Sequence, residues 1–74
     1  MLKLSSTTKK SNYIYCGDIK SSPFSARLLE IGLVRGCEFT LINSSKNYNV
    51  IIVGGSFFAI TKCLAENMLV MEKL

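Results

Sequence analysis

Phe24-Ser-Ala-Arg-Leu-Leu-Glu-Ile-Gly-Leu-Val-Arg-Gly-Cys37 is the stretch on which the fold turns. Pro23, just before it, suits a first helical position, because its φ is fixed and its missing N–H would be unpaired there anyway. Ser22 is a good N-cap. Phe24, Leu28 and Ile31 stand at i, i+4 and i+7, one apolar stripe on a helix of about two and a half turns. Gly32 follows, where a left-handed backbone costs glycine nothing. With Ile31 as the cap, Leu33 folds back on Leu28 in a Schellman-type ending. Val34-Arg35-Gly36 makes a second turn, and Cys37 to Ile42 begins to alternate as a strand. The stretch is thus a tightly specified corner between a helix and a strand, and it carries no evident catalytic chemistry.

Working outward, 74 residues make one domain. A chain of this size buries only about 60% of its unfolded surface. Its 49% hydrophobic content supports a core without a disulfide or metal staple. Cys16, Cys37 and Cys63 form no CxxC pair and are odd in number, the pattern of reduced thiols in a cytoplasmic protein. Met1 to Asn12 has no apolar signal core. The longest apolar region, Val50 to Ile60, is broken by Gly54-Gly55-Ser56 and falls well short of the roughly 20 residues that span a bilayer. The expectation is a soluble, cytoplasmic protein without direct membrane insertion.

The net charge of +4 is not a nucleic-acid signature. Lys3, Lys9 and Lys10 belong to the polar segment 1–12, and residues 13–74 carry six basic groups against five acidic ones. Nucleic-acid sites need clustered cations with aromatics to stack on bases, and here the cations are scattered singly.

Residues 1–12 read as a polar, loosely ordered N-terminal segment, with Leu2 and Leu4 able to dock on the body. Residues 13–74 form the domain. Tyr13 to Ile19 is a strand by its aromatic and β-branched content. Cys37 to Ile42 is the next, with Cys37, Phe39 and Leu41 on one side. Asn43-Ser-Ser-Lys-Asn47 is a hairpin loop. Tyr48 to Val53 returns, its four β-branched residues pointing to burial on both faces. Gly54-Gly55 is a two-residue hairpin turn into Ser56 to Thr61. Thr61 caps a helical turn, Lys62 to Glu66, which Asn67 ends in the left-handed region. Met68 to Leu74 is the closing strand. The fold class is mainly β: about five strands, one short helix between strands 1 and 2, and a helical turn before the last strand. An antiparallel sheet this short and bent closes into a small barrel.

The chain has no histidine, which removes the commonest general base and metal ligand together. Asp18, Glu30, Glu38, Glu66 and Glu72 are dispersed and fit solvated faces. Gly32-x-x-x-Gly36 and Gly54-Gly55 lack the lysine and the strand–loop–helix order of a phosphate loop. No residue is assigned a catalytic role, and the protein is expected not to be an enzyme and to hold no cofactor. The three thiols either fill the core as small apolar groups or converge on a metal. Arg27 and Glu30, at i and i+3, are either a surface ion pair or a recognition face. Phe57 and Phe58 must point to opposite sides of their strand, one into the core and one outward.

Arg27-Leu-Leu-Glu-Ile-Gly-Leu-Val-Arg-Gly-Cys-Glu-Phe39 resembles the R-L-x-[DE]-[ML]-G-[LI]-x-x-G-x-x-[VI] signature of the FeoA family, small cytoplasmic partners of bacterial ferrous-iron transport. Phe58-Ala-Ile-Thr61, Lys62-Cys-Leu-Ala-Glu66 and Met68-Leu-Val70 are similar to the family's downstream strand, helical turn and closing strand. The resemblance covers residues 13 to about 71 and implies an SH3-like β-barrel without enzymatic activity. It also implies docking onto the cytoplasmic GTPase region of a FeoB-type membrane transporter, and modulation of iron uptake. Arg27 and Glu30 are then the partner-binding candidates, and Leu28, Gly32 and Gly36 the structural signature. Related domains close metalloregulators of the diphtheria-toxin-repressor type, and transition-metal binding is a described family trait. No metal ligand is assigned here, for want of histidine. Two alternatives stand beside the adaptor: a metal-binding or metal-sensing module using the thiols, and a peptide-binding barrel with an unrelated partner. Where many members carry a longer, Pro-x-Gly-Asp-Pro-like loop, this chain has only Asn43 to Asn47. Its N-terminal Leu2-Lys-Leu4 also lacks the usual Pro-Gly turn.

Overall fold

Side-chain alternation sets the strands, and the strands set the ladder. In the computed structural model, which describes residues 1–18 (Asp18 by its backbone alone) and 28–73, six strands form one antiparallel sheet. They are β1 (Leu2–Lys3), β2 (Asn12–Asp18), β3 (Glu38–Ser44), β4 (Tyr48–Val53), β5 (Ser56–Thr61) and β6 (Met68–Glu72). Their order is β1-β6-β2-β3-β4-β5, so β1 and β5 are the end strands of the described sheet. The expected start of the first helix at Ser22 and Pro23, with Phe24 and Arg27, lies outside the described residues.

Three expectations change: the strand count, the end of the helical turn, and the cover over the outer face of β4. The described strands number six where about five were expected, because Leu2–Lys3 pairs with Val70 and Leu69 of β6. Within the polar segment, Leu4 opens a short 3-10 turn, Leu4–Ser6, and is fully buried, whereas Leu2 stays half exposed. The docking open to both leucines is therefore made by the side chain of one and the backbone of the other. Asn49, buried in β4, reaches back to it: its amide donates to the Leu4 carbonyl at 3.2 Å, as the Thr7 hydroxyl does at 2.7 Å. The second change is at the helical turn Lys62–Ala65. The Leu64 N–H donates to the Thr61 hydroxyl, as a capping Thr should, but Asn67 is not left-handed. The turn ends at Glu66 in ordinary helical geometry, and the Asn67 N–H donates to the Leu64 carbonyl.

The sheet is rolled. A flat layer of strands would be thin in one direction, yet the molecule extends 27 × 24 × 23 Å. Register shifts at Tyr15/Gly17 in β2 and at Leu41/Asn43 in β3 mark where bulges bend it. Phe39 and Leu41, Ile51 and Val53, and Met68 and Val70 point inward in alternation and are buried, meeting Leu28, Leu33, Ile60 and Leu64 in one core. Val50 and Ile52, expected to be covered on the other face, are half-buried. Phe58 packs against the core and Phe57 is 68% exposed, so the aromatic pair divides between the two faces.

Candidate docking site

The corner is built by glycines. Residues 28–30 are the helix's last described turn. The Leu33 N–H donates to the Leu28 carbonyl at 2.9 Å and the Gly32 N–H to the Leu29 carbonyl at 3.0 Å, the paired bonds of a Schellman ending. Gly32 has φ +87°, which the motif requires at this position. The apolar contact that accompanies such an ending is met by Leu28 and Leu33, both within the core. A β-turn follows at once: the Cys37 N–H donates to the Val34 carbonyl at 2.9 Å, with Gly36 at φ +89° in its third position.

This turn is then tied to β2. The Gly36 N–H donates to the Tyr15 carbonyl at 2.7 Å, and the Tyr15 N–H to the Cys37 carbonyl at 2.9 Å. The consequence is a concavity of about 240 Å³ between strand and corner. From β2 it is lined by Tyr15 and Gly17, and from the corner by Leu28, Leu29, Leu33, Val34 and Arg35. Its rim is apolar and open, with Leu29 63% and Val34 49% exposed. Arg35 lies across Gly17: a Cβ built on that glycine would stand 2.9 Å from Arg35 Nη2 and 3.2 Å from Nε. Gly17 has φ +118° and lies in the bulge, so the strand bends there and leaves room for the guanidinium.

Glu30 is exposed at this corner and forms no ion pair among the described residues. Arg27, its expected partner, lies outside them. Leu29, Val34 and Arg35 were not singled out from the sequence. The available signal was Leu29, a large apolar residue lying off the stripe of Phe24, Leu28 and Ile31. Nothing in the sequence brings Arg35 to Gly17, because that approach runs through the tertiary fold.

Among the described residues, no group of three or more Cys, His, Asp or Glu side chains is placed to hold a metal. The thiols stand apart in environment: Cys16 donates to the Ile14 carbonyl and Cys37 to the Glu38 carbonyl, both at 3.5 Å, while Cys63 is exposed. The convergence that the thiol-metal alternative requires is not formed. Of the described carboxylates, two are engaged in ion pairs, Glu72 with Lys9 at 2.8 Å and Glu38 with Lys73 at 2.7 Å. The hydrogen bond from Lys9, with a second from Ser11, holds the Glu72 carboxyl below the usual carboxylate range; the same bond raises Lys9. Burial, reinforced by the Glu72 charge, pushes the Tyr13 phenol up; its O–H donates to the Lys9 carbonyl at 2.7 Å. These groups are built into the fold rather than aimed at the concavity. No helix among the described residues is long and apolar enough to cross a membrane.

Known proteins give these features a setting. The FeoA domain profile matches residues 11–72. The crystal structure of an iron uptake regulatory protein (FeoA) superimposes with a TM-score of 0.86 at 26% identity, covering 97% of each chain. The solution structure of a FeoA-like protein from Clostridium acetobutylicum gives 0.83 at 23% identity, over 100% of this chain and 92% of that one. ScaR with bound Zn²⁺ gives 0.89 at 20% identity; the whole of this chain matches 37% of that one, a likeness of fold. No curated protein matches the sequence.

Proposed function

The chain belongs to the FeoA family, small proteins related to ferrous-iron transport, and on that premise we propose that it is a non-catalytic accessory protein that binds the cytoplasmic GTPase region of a FeoB-type transporter and modulates it. The observation that carries this reading is the family match across residues 11–72, which spans the whole corner. The open apolar rim of that corner supports it, since exposed apolar groups at a concavity are a common mark of a protein interface. The rolled sheet is then an SH3-like barrel used as a rigid platform, and the protein works in the cytoplasm.

In this reading Arg27 and Glu30 contact the partner from the helix, while Leu28, Gly32 and Gly36 shape the corner that presents them. Titration of the purified GTPase region, in each nucleotide state, tests the proposal. Saturable binding in at least one state is expected, weakened about fivefold or more by the double variant Arg27→Ala, Glu30→Ala. Absence of binding in both states would sink it.

A further inference from the structure

Among the described residues, Arg35 is a cation that the fold positions without engaging. Lys9 and Lys73 are paired with Glu72 and Glu38, and Lys62 donates to the Ser44 hydroxyl at 3.1 Å. Among the described residues Arg35 has no hydrogen-bond or ion-pair partner, although its guanidinium is packed against Gly17 at the edge of an apolar concavity. A guanidinium carries five N–H donors in a planar fork that matches a carboxylate. Resting against the Gly17 backbone limits its freedom, so less order must be imposed when an anion pairs with it.

The size of the concavity narrows the ligand. At about 240 Å³ it lies below the roughly 300–1,000 Å³ of sites that enclose a drug-sized molecule, and it is open to solvent. It suits a single large apolar side chain delivered by another protein. We propose that this concavity binds a partner segment in which an apolar side chain stands beside a carboxylate. The side chain enters between Leu29 and Val34, and the carboxylate pairs with Arg35. The inference rests on the docking role proposed above and specifies the chemistry of the segment recognised.

The probe is the peptide acetyl-Ser-Leu-Asp-Leu-Ser-amide, titrated to millimolar concentration into the full chain labelled with ¹⁵N. Saturable shifts at Leu29, Val34 and Arg35 are expected. Replacing Asp by Asn in the peptide should weaken binding about tenfold, as should Arg35→Gln, the scale of a lost charge-assisted hydrogen bond. Arg35→Lys should fall between, since it keeps the charge and loses the fork. Leu29→Ser should weaken both peptides alike. No shifts at these residues, equal affinity for the Asp and Asn peptides, or an unchanged affinity in a folded Arg35→Gln protein would each overturn the inference. The GTPase region is titrated in parallel: if it binds wild type and Arg35→Gln equally, the inference fails and the accessory role stands. If it does not bind wild type at all, the accessory role fails, and the peptide alone decides the site.

Discussion

The corner at residues 28–37 and the hairpin at residues 48–61 reverse the chain by the same device, and they do different things with it. Each uses paired glycines at positive φ: Gly32 and Gly36 at the corner, Gly54 and Gly55 in the hairpin. The hairpin closes locally. Val53 faces Ser56 across the two-residue turn, and the ladder runs without a register shift to Tyr48 opposite Thr61. The corner closes on something distant, since the turn around Gly36 is bonded to Tyr15. A local reversal yields a sheet surface, on which Phe57 and Ile52 lie side by side. A reversal anchored to a remote bulge yields a concavity. The position of the second anchor, rather than the turn chemistry, makes the difference.

The comparison breaks most sharply at Leu28. Leu28→Ala removes a fully buried side chain from the contact that closes the helix, and should cost about 2–5 kcal/mol in urea unfolding. Phe57→Ala, on the open hairpin face, should change stability by about 0.5 kcal/mol or less. Comparable losses at the two sites would refute the distinction between anchored corner and open sheet.

The glycines come next. A Cβ at Gly32 or Gly36 meets nothing within 4 Å, so Gly32→Ala and Gly36→Ala isolate the cost of a positive φ, about 1–2 kcal/mol each. Thr61→Ala, at the far end of the hairpin, removes the acceptor for the Leu64 N–H and should cost about 1 kcal/mol. Gly54 should behave oppositely to the corner glycines. Its φ of +57° is one that asparagine tolerates, and Gly54→Asn creates an Asn-Gly turn of the favoured hairpin type. A thermal melt should show it neutral or stabilised by about 0.5 kcal/mol. Equal destabilisation at Gly54 and Gly32 would mean that the two reversals do not differ in backbone demand.

The smallest effect concerns the Lys9–Glu72 pair, which lies in neither region. Because Glu72 is lowered in the folded state, its contribution is present above the unfolded carboxylate pKa and is lost as pH falls through the folded value. Lys9 is raised, so its contribution is lost only as pH climbs through its folded value, above the ordinary lysine range. Stability should therefore soften on the acid side, and Lys9→Met should flatten that slope. High salt should flatten it too, because the pair is solvent-accessible. An acid slope identical in wild type and Lys9→Met would remove the pair as its cause.

Much of the fold was legible because its signals are local. Ile31-Gly32-Leu33 spells a Schellman ending wherever it occurs after a helix with Leu28 in place, and Gly54-Gly55 between alternating runs spells a tight hairpin. Phe57 and Phe58 had to separate, since adjacent strand residues face opposite ways. The misreadings were also local: Asn67 favours the left-handed region in isolation, but the Lys62–Ala65 turn ends without it. The first strand is not legible in the sequence, because two exposed residues carry no pattern; only pairing with β6 makes Leu2–Lys3 a strand.

The sequence by itself determined the pattern of β2 to β6, the glycine reversals and the signature that places the chain in its family, all of which depend on residues near one another along the chain. Only the tertiary structure decided that Leu4 belongs to the core, that the thiols stand apart, and that Arg35 rests on Gly17 beside Leu29 and Val34. Those facts depend on the rolling of the sheet and the bulge in β2, which bring together residues whose separation along the chain conceals their contact.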